Sequence, residues 1–142
     1  ECAHVRNATG LPMKLDEVAH DTASLLEAQA RGCMDAVALK LSKFGGLSAT
    51  RKARDLCLHL GARMCIEDTW GSDITTAACL HLAASTPSAR LLNTCDLSGY
   101  VTPRLATNAP TRTNGAITAP PGPGLGIDVD TARLGPPDHI WE

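Results

Sequence analysis

Asp16 and Lys40 lie 24 residues apart, and each closes a short apolar run. Leu11-Pro12-Met13-Lys14-Leu15 precedes the acid, and Ala36-Val37-Ala38-Leu39 precedes the base. Neighbouring strands lie about 4.8 Å apart, so two such groups at adjacent strand ends can reach one small molecule. A carboxylate offers the oxygen ligand that Mg²⁺, or another divalent cation such as Mn²⁺, takes. A lysine beside it can exchange a proton. The reaction that needs this pair is removal of a proton α to a carboxylate. Its product, a doubly charged enediolate, is out of reach in neutral water without help. A divalent ion stabilises that charge, and nearby cations lower the lysine pKa until it can act as a base. Without an ion and a substrate, Asp16 and Lys40 would form only a surface ion pair, worth under about 1 kcal/mol.

The elements that position these residues follow from the pattern around them. After Lys40 the chain turns through Lys43 and Gly45-Gly46 into an amphipathic segment, 48–60, with Leu56 and Leu60 predicted inward and Gly61 as its stop. A buried strand, a terminal lysine, a glycine turn and a helix make one βα unit, and α/β folds place their chemistry at C-terminal strand ends. The other units repeat the plan. Residues 1–8 read as the end of a helix stopped by Thr9-Gly10, and 11–15 as a strand with Pro12 near its start. A helix over 20–31 has Asp21 or Thr22 as cap, Ala23, Leu26 and Ala30 on one face, and Gly32 as stop. A strand over 63–66 ends in Glu67-Asp68, a helix spans Asp73–Ala84, and a strand over 90–92 ends at Asn93.

Strand ends at Asp16, Lys40, Glu67 and Asn93 are spaced by 24, 27 and 26 residues. That regularity is the signature of a parallel βα array. Four units are half of the eight in a (β/α)8, TIM-like barrel, so the expected α/β fold is half of such a barrel. A flavodoxin-like open sheet is disfavoured, because no phosphate- or flavin-cradling loop follows the first strand.

Composition excludes several functions. A chain of 142 residues is one domain or a piece of a larger one. A net charge of −2 with no basic stripe gives no footprint for nucleic acid or an anionic membrane, and no apolar run reaches a membrane span. The aromatic residues, Phe44, Trp70, Tyr100 and Trp141, are too few for a stacking platform. Cys2, Cys33, Cys57, Cys65, Cys79 and Cys95 show neither CxxC nor zinc-finger spacing. They read as free thiols of a reducing compartment, so the expected location is cytoplasmic. Residues 97–142 are rich in Pro and Gly. Their Gly122-Pro-Gly124-Leu-Gly126 run lacks the flanking strand and helix of a phosphate loop, and the segment reads as loop that lies against other parts of the protein.

At these residues the sequence resembles a known family. Leu15-Asp16-Glu17 followed by Leu39-Lys40-Leu-Ser-Lys43-Phe-Gly45-Gly46-Leu47 is similar to the C-terminal half of the barrel in the mandelate racemase/muconate lactonizing enzyme group of the enolase superfamily. Ile66-Glu67-Asp68-Thr69-Trp70-Gly71, the run from His81 to Pro87, and Pro123-Gly124-Leu125-Gly126-Ile127 resemble its cis-3-hydroxy-L-proline dehydratase and hydroxyproline-betaine epimerase branch. The resemblance implies that residues 1–96 hold barrel strands five to eight, and that 97–142 pack on the barrel and a capping domain. It makes Asp16 a metal ligand, with Glu17 able to share the ion, Lys40 the acid/base residue and Lys43 the turn lysine. Glu67 and Asp68 would meet substrate from the seventh strand, and Asn93 and Cys95 from the eighth.

The resemblance also implies a second-strand lysine motif, two further metal carboxylates and an N-terminal capping domain, none of which is in this sequence. The chain alone is therefore expected to be inactive, with the N-terminal half of the enzyme as its partner and a homo-oligomer when full length. The expected substrate is a small amino or imino acid, and the expected reaction is dehydration of cis-3-hydroxy-L-proline. The alternatives are an epimerase or racemase acting on an amino acid or proline betaine, and a non-catalytic half-barrel interaction module in which Asp16 and Lys40 are vestigial.

Overall fold

The computed structural model describes residues 1–140; Trp141 and Glu142, the end of the expected C-terminal segment, lie outside the described residues. Helix α1 (Cys2–Thr9) leads into β1 (Lys14–Leu15), α2 (Thr22–Ala30), β2 (Ala36–Lys40), a single helical turn α3 (Leu41–Phe44), α4 (Leu47–His59), β3 (Arg63–Glu67), α5 (Asp73–Ala84) and β4 (Leu91–Thr94). A 3-10 turn (Leu97–Tyr100) and a short helix α6 (Thr131–Leu134) complete it.

All strands are parallel and their order is β1-β2-β3-β4. Each crossover moves one place in the same direction, as in a barrel wall, whereas a doubly wound sheet reverses its order partway. Side chains alternate along a strand, which separates two faces. Leu15, Val37, Leu39, Met64 and Ile66 form one buried cluster with Leu25 and Ala28 of α2, Ala53 and Cys57 of α4, and Cys79, Leu82 and Ala83 of α5. Ala36, Ala38 and Cys65 are also buried but lie outside that cluster, on the other face. β2 is buried along its whole length, as a strand paired on both sides and covered on both faces should be.

Two helix faces differ from the sequence expectation. Leu26 of α2 is 48% exposed, and the buried residues are Leu25 and Ala28. Apolar residues occur all round α2, so spacing alone leaves its phase open and packing decides it. In α4 the fully buried face is Thr50, Ala53, Arg54 and Cys57, while Leu56 and Leu60 pack at the rim of the core. Arg54 is buried because its Nη1 donates to the Ser85 carbonyl (2.8 Å) and Thr86 Oγ1 (3.2 Å) at the C-terminus of α5. Asp21 is the cap of α2: its side chain accepts from Ser24 N at 2.7 Å, and Ser24 Oγ accepts in return from Asp21 N at 3.1 Å. The first strand is shorter than the predicted 11–15, and the fourth reaches Thr94.

The Pro/Gly-rich segment is tied to α5. Asp73, in the first turn of that helix and 2% exposed, accepts from Leu105 N (2.7 Å) and Ala106 N (3.1 Å) and pairs with Arg104 (3.1 Å). His81 contacts the Leu125 carbonyl at 3.0 Å. All six cysteines are free, and burial pushes the Cys57 and Cys79 thiols up to about 12.

At the opposite end of the strands, Arg6 grips Asp35 through two hydrogen bonds (2.6 and 2.7 Å), and the same carboxylate accepts from Met13 N at 2.7 Å. These donors, Arg6 foremost, hold the Asp35 carboxyl at about 2, below the ordinary 3.8. A depressed acid contributes stability above its unfolded pKa and loses it as pH falls through the folded value. The acid limb of the stability curve between about pH 4 and 2 should therefore flatten in Asp35→Asn, as measured by denaturant midpoints across that range. Asp73→Ala should cost about 3 kcal/mol, because it leaves two backbone N–H groups and Arg104 without their partner, and should raise protease sensitivity near residue 105.

Candidate active site

Lys40 ends β2 opposite Glu67, the last residue of β3. Asp16 and Glu17 follow β1 directly. Asn93 of β4 pairs with Cys65, two residues before Glu67, and Cys95 lies just beyond β4. Parallel pairing puts all of these at the C-terminal end of the sheet. The Lys40 side chain is buried, and its Nζ lies 2.7 Å from Asp16 Oδ1 and donates a short hydrogen bond to Glu17 Oε1. Lys43 Nζ holds the other Glu17 oxygen and reaches the Glu17 carbonyl at 3.3 Å. Two acids and two lysines thus form a neutral cluster.

The electrostatics follow from that cluster. Contact with Asp16, then with Glu17, holds the Lys40 ammonium above its ordinary pKa of 10.5, against the opposing effect of burial. Lys40, then Lys43, holds the Glu17 carboxyl at about 2. Glu17 is mostly exposed, so solvent screens this pairing. Burial raises the thiols of Cys65 and Cys95, with the Glu67 charge adding to both. Both stay protonated near neutral pH, which makes them poor nucleophiles.

A metal ion is partly provided for. Asp16 Oδ1 is buried and, despite its ion pair with Lys40, accepts no hydrogen bond of good geometry. An under-used carboxylate oxygen suits a hard cation. Among the described residues, however, no three His, Cys, Asp or Glu groups converge. The donors fit Mg²⁺ chemistry as one part of a ligand set.

Asp68 is placed differently from its neighbours. It turns away to accept from Ser42 N (3.0 Å), Ser42 Oγ and Thr69 N (2.7 Å). The sequence reading passed over Lys14, whose Nζ lies 3.8 Å from Glu67 Oε2. Alternation puts Lys14 on the same face as Asp16, so the signal was available: a charged residue at an alternate position of an apolar strand. Ser42 left no such signal, because its importance lies in a pairing 26 residues away.

The parallel βα array thus brings an acid and a lysine together at adjoining strand ends, as one wall of a barrel would. The chain belongs to the Enolase C-terminal domain-like family, whose model matches residues 1–133. It is 45% identical over 137 residues to cis-3-hydroxy-L-proline dehydratase from Roseibium aggregatum, covering 96% of this chain and 37% of that protein. A mandelate racemase/muconate lactonizing enzyme structure from Roseovarius nubinhibens superposes with a TM-score of 0.91 at 37% identity, covering 99% of this chain and 38% of that one. A member of the enolase superfamily from the same organism, complexed with magnesium, gives 0.92 at 35% identity, covering 97% and 38%. The fold is thus the C-terminal half of the enolase-superfamily barrel. The chain spans little more than a third of the length of these relatives.

The exposure of Glu17 fixes the worth of its contact with Lys43. Lys43→Ala should leave folding stability nearly unchanged, read from the denaturant midpoint; a clear drop in that midpoint would mean that the turn lysine is structural.

Proposed function

We propose that this chain supplies part of the active site of a divalent-metal-dependent enzyme that removes the α-proton of a cyclic imino acid, and that the reaction is dehydration of cis-3-hydroxy-L-proline. The observation that carries the reading is the contact between buried Lys40 Nζ and Asp16 Oδ1 at the strand ends. The 45% identity to a cis-3-hydroxy-L-proline dehydratase supports the substrate.

In this reading Lys40 Nζ is the atom that exchanges a proton with the substrate α-carbon; Asp16 and Glu17, which here hold its ammonium above the ordinary pKa instead of below it, would cease to do so once a divalent ion engaged them. Asp16, with Glu17 beside it, would hold Mg²⁺ or Mn²⁺ together with ligands from the N-terminal half of the enzyme. When bound, the ion supplies electrostatic stabilisation of the negative charge that develops on the substrate carboxylate. Burial of Lys40 keeps water from competing for its proton. Glu67, Asn93 and Cys95 share the sheet end with it and would contact the imino acid. As Lys40 takes the α-proton, the C–H electron pair becomes the new C=C bond and the β-hydroxyl leaves with its own bonding pair, the proton held by Lys40 converting it to water.

The test is proton–deuterium exchange at the substrate α-carbon in D₂O, with metal affinity measured on the same variants of the intact protein. Lys40→Ala should abolish exchange and leave metal affinity nearly unchanged. Lys40→Arg should fail almost as badly, since a guanidinium stays protonated. Asp16→Asn should weaken metal binding first and lose exchange as a consequence. Undiminished exchange in Lys40→Ala would overturn the assignment, and formation of the epimer without loss of water would replace dehydration by epimerisation.

A further inference from the structure

Lys40 occupies the N-cap position of α3, with extended backbone (φ −97°, ψ 120°), and its side chain makes no capping hydrogen bond. It has none to make. A lysine ammonium only donates, whereas the first N–H groups of a helix need an acceptor, normally the side-chain oxygen of the N-cap residue. Placing a proton-transfer lysine there leaves the turn that carries it without a cap of its own.

Asp68 supplies that acceptor from the neighbouring strand end. Its carboxylate accepts from Ser42 N at 3.0 Å, the second N–H of α3, and from Ser42 Oγ. It also accepts from Thr69 N at 2.7 Å, which fixes its own loop. The residue is 9% exposed. With three donors on about four lone-pair sites, little of this carboxylate is left for a substrate. At the far end of α3, Gly45 and Gly46 adopt φ of 89° and 101°, while Ser42 is held by Asp68, just beyond β3.

We propose that Asp68 is a positioning residue for Lys40 rather than a substrate contact: by capping α3 from the adjacent strand, it fixes where Lys40 Nζ meets the α-carbon. The inference rests on the assignment of Lys40 as the proton-transfer residue.

The experiment is steady-state kinetics and α-proton exchange on the intact protein, for Asp68→Ala, Asp68→Asn and Ser42→Ala beside Lys40→Ala. Asp68→Ala should lower kcat and exchange together by at least about tenfold, towards the ~10²-fold that a displacement of about 1 Å can cost, with KM within about twofold. Asp68→Asn should recover part of the loss, because its amide oxygen can still accept from Ser42 N. Ser42→Ala should lose less than Asp68→Ala, because it keeps the backbone N–H. Should Asp68→Ala not fold, Asp68→Asn and Ser42→Ala carry the same test through lowered kcat at constant KM. A raised KM with kcat intact would make Asp68 a substrate contact and overturn the proposal, as would unchanged kinetics. Exchange surviving in Lys40→Ala would instead sink the functional reading; exchange lost there but intact in the Asp68 and Ser42 variants would sink this inference alone.

Discussion

An ammonium group buried at the end of the most enclosed strand is the constraint on which the rest of the structure depends. Lys40 is 5% exposed, and β2 behind it is buried at every position. A charge so placed must find partners or be neutralised. Asp16 and Glu17 are those partners, and they can meet Lys40 only if β1 lies parallel to β2, with Leu15 in register with Val37. Sheet order, the spacing of the strand ends and the charge cluster are thus one requirement expressed at three levels.

The two faces of the sheet divide the labour. One carries the large aliphatic residues that α2, α4 and α5 cover. The other carries Ala36, Ala38 and Cys65, small enough for Lys14 and Glu67 to approach each other from β1 and β3 above the central strand. Polar side chains that stabilise the scaffold also lie where strands and helices meet. Asp35 closes the N-terminal ends of the strands, Arg54 joins α4 to the end of α5, and Asp73 holds the Pro/Gly-rich segment against the start of α5.

The βα array was legible in the sequence because each strand is a short apolar run closed by a polar residue and a turn signal. The phase of α2 was not, since Ala and Leu surround that helix and only packing selects Leu25 and Ala28. Among site residues, the company of Asp16, Glu17, Lys40 and Lys43 could be anticipated from strand-end spacing, because parallel strands bring successive ends together. Asp68 could not be separated from Glu67 by the same argument. Adjacent residues at a strand end point to opposite sides, and only the hydrogen bonds from Ser42 and Thr69 show which way Asp68 turns. Nothing in the sequence marks Arg54 or Asp73 as buried, because their partners lie 31 and 32 residues away.

The central claim is that Lys40 and Asp16 form an acid/base site directed at an α-proton. The most direct measurement follows the α-proton of L-proline, which has no hydroxyl to lose, by NMR in D₂O with the intact protein, with and without a divalent ion. The account predicts replacement of the α-proton by deuterium that requires both protein and ion. An α-proton that persists under those conditions, while the same preparation consumes cis-3-hydroxy-L-proline, would contradict it.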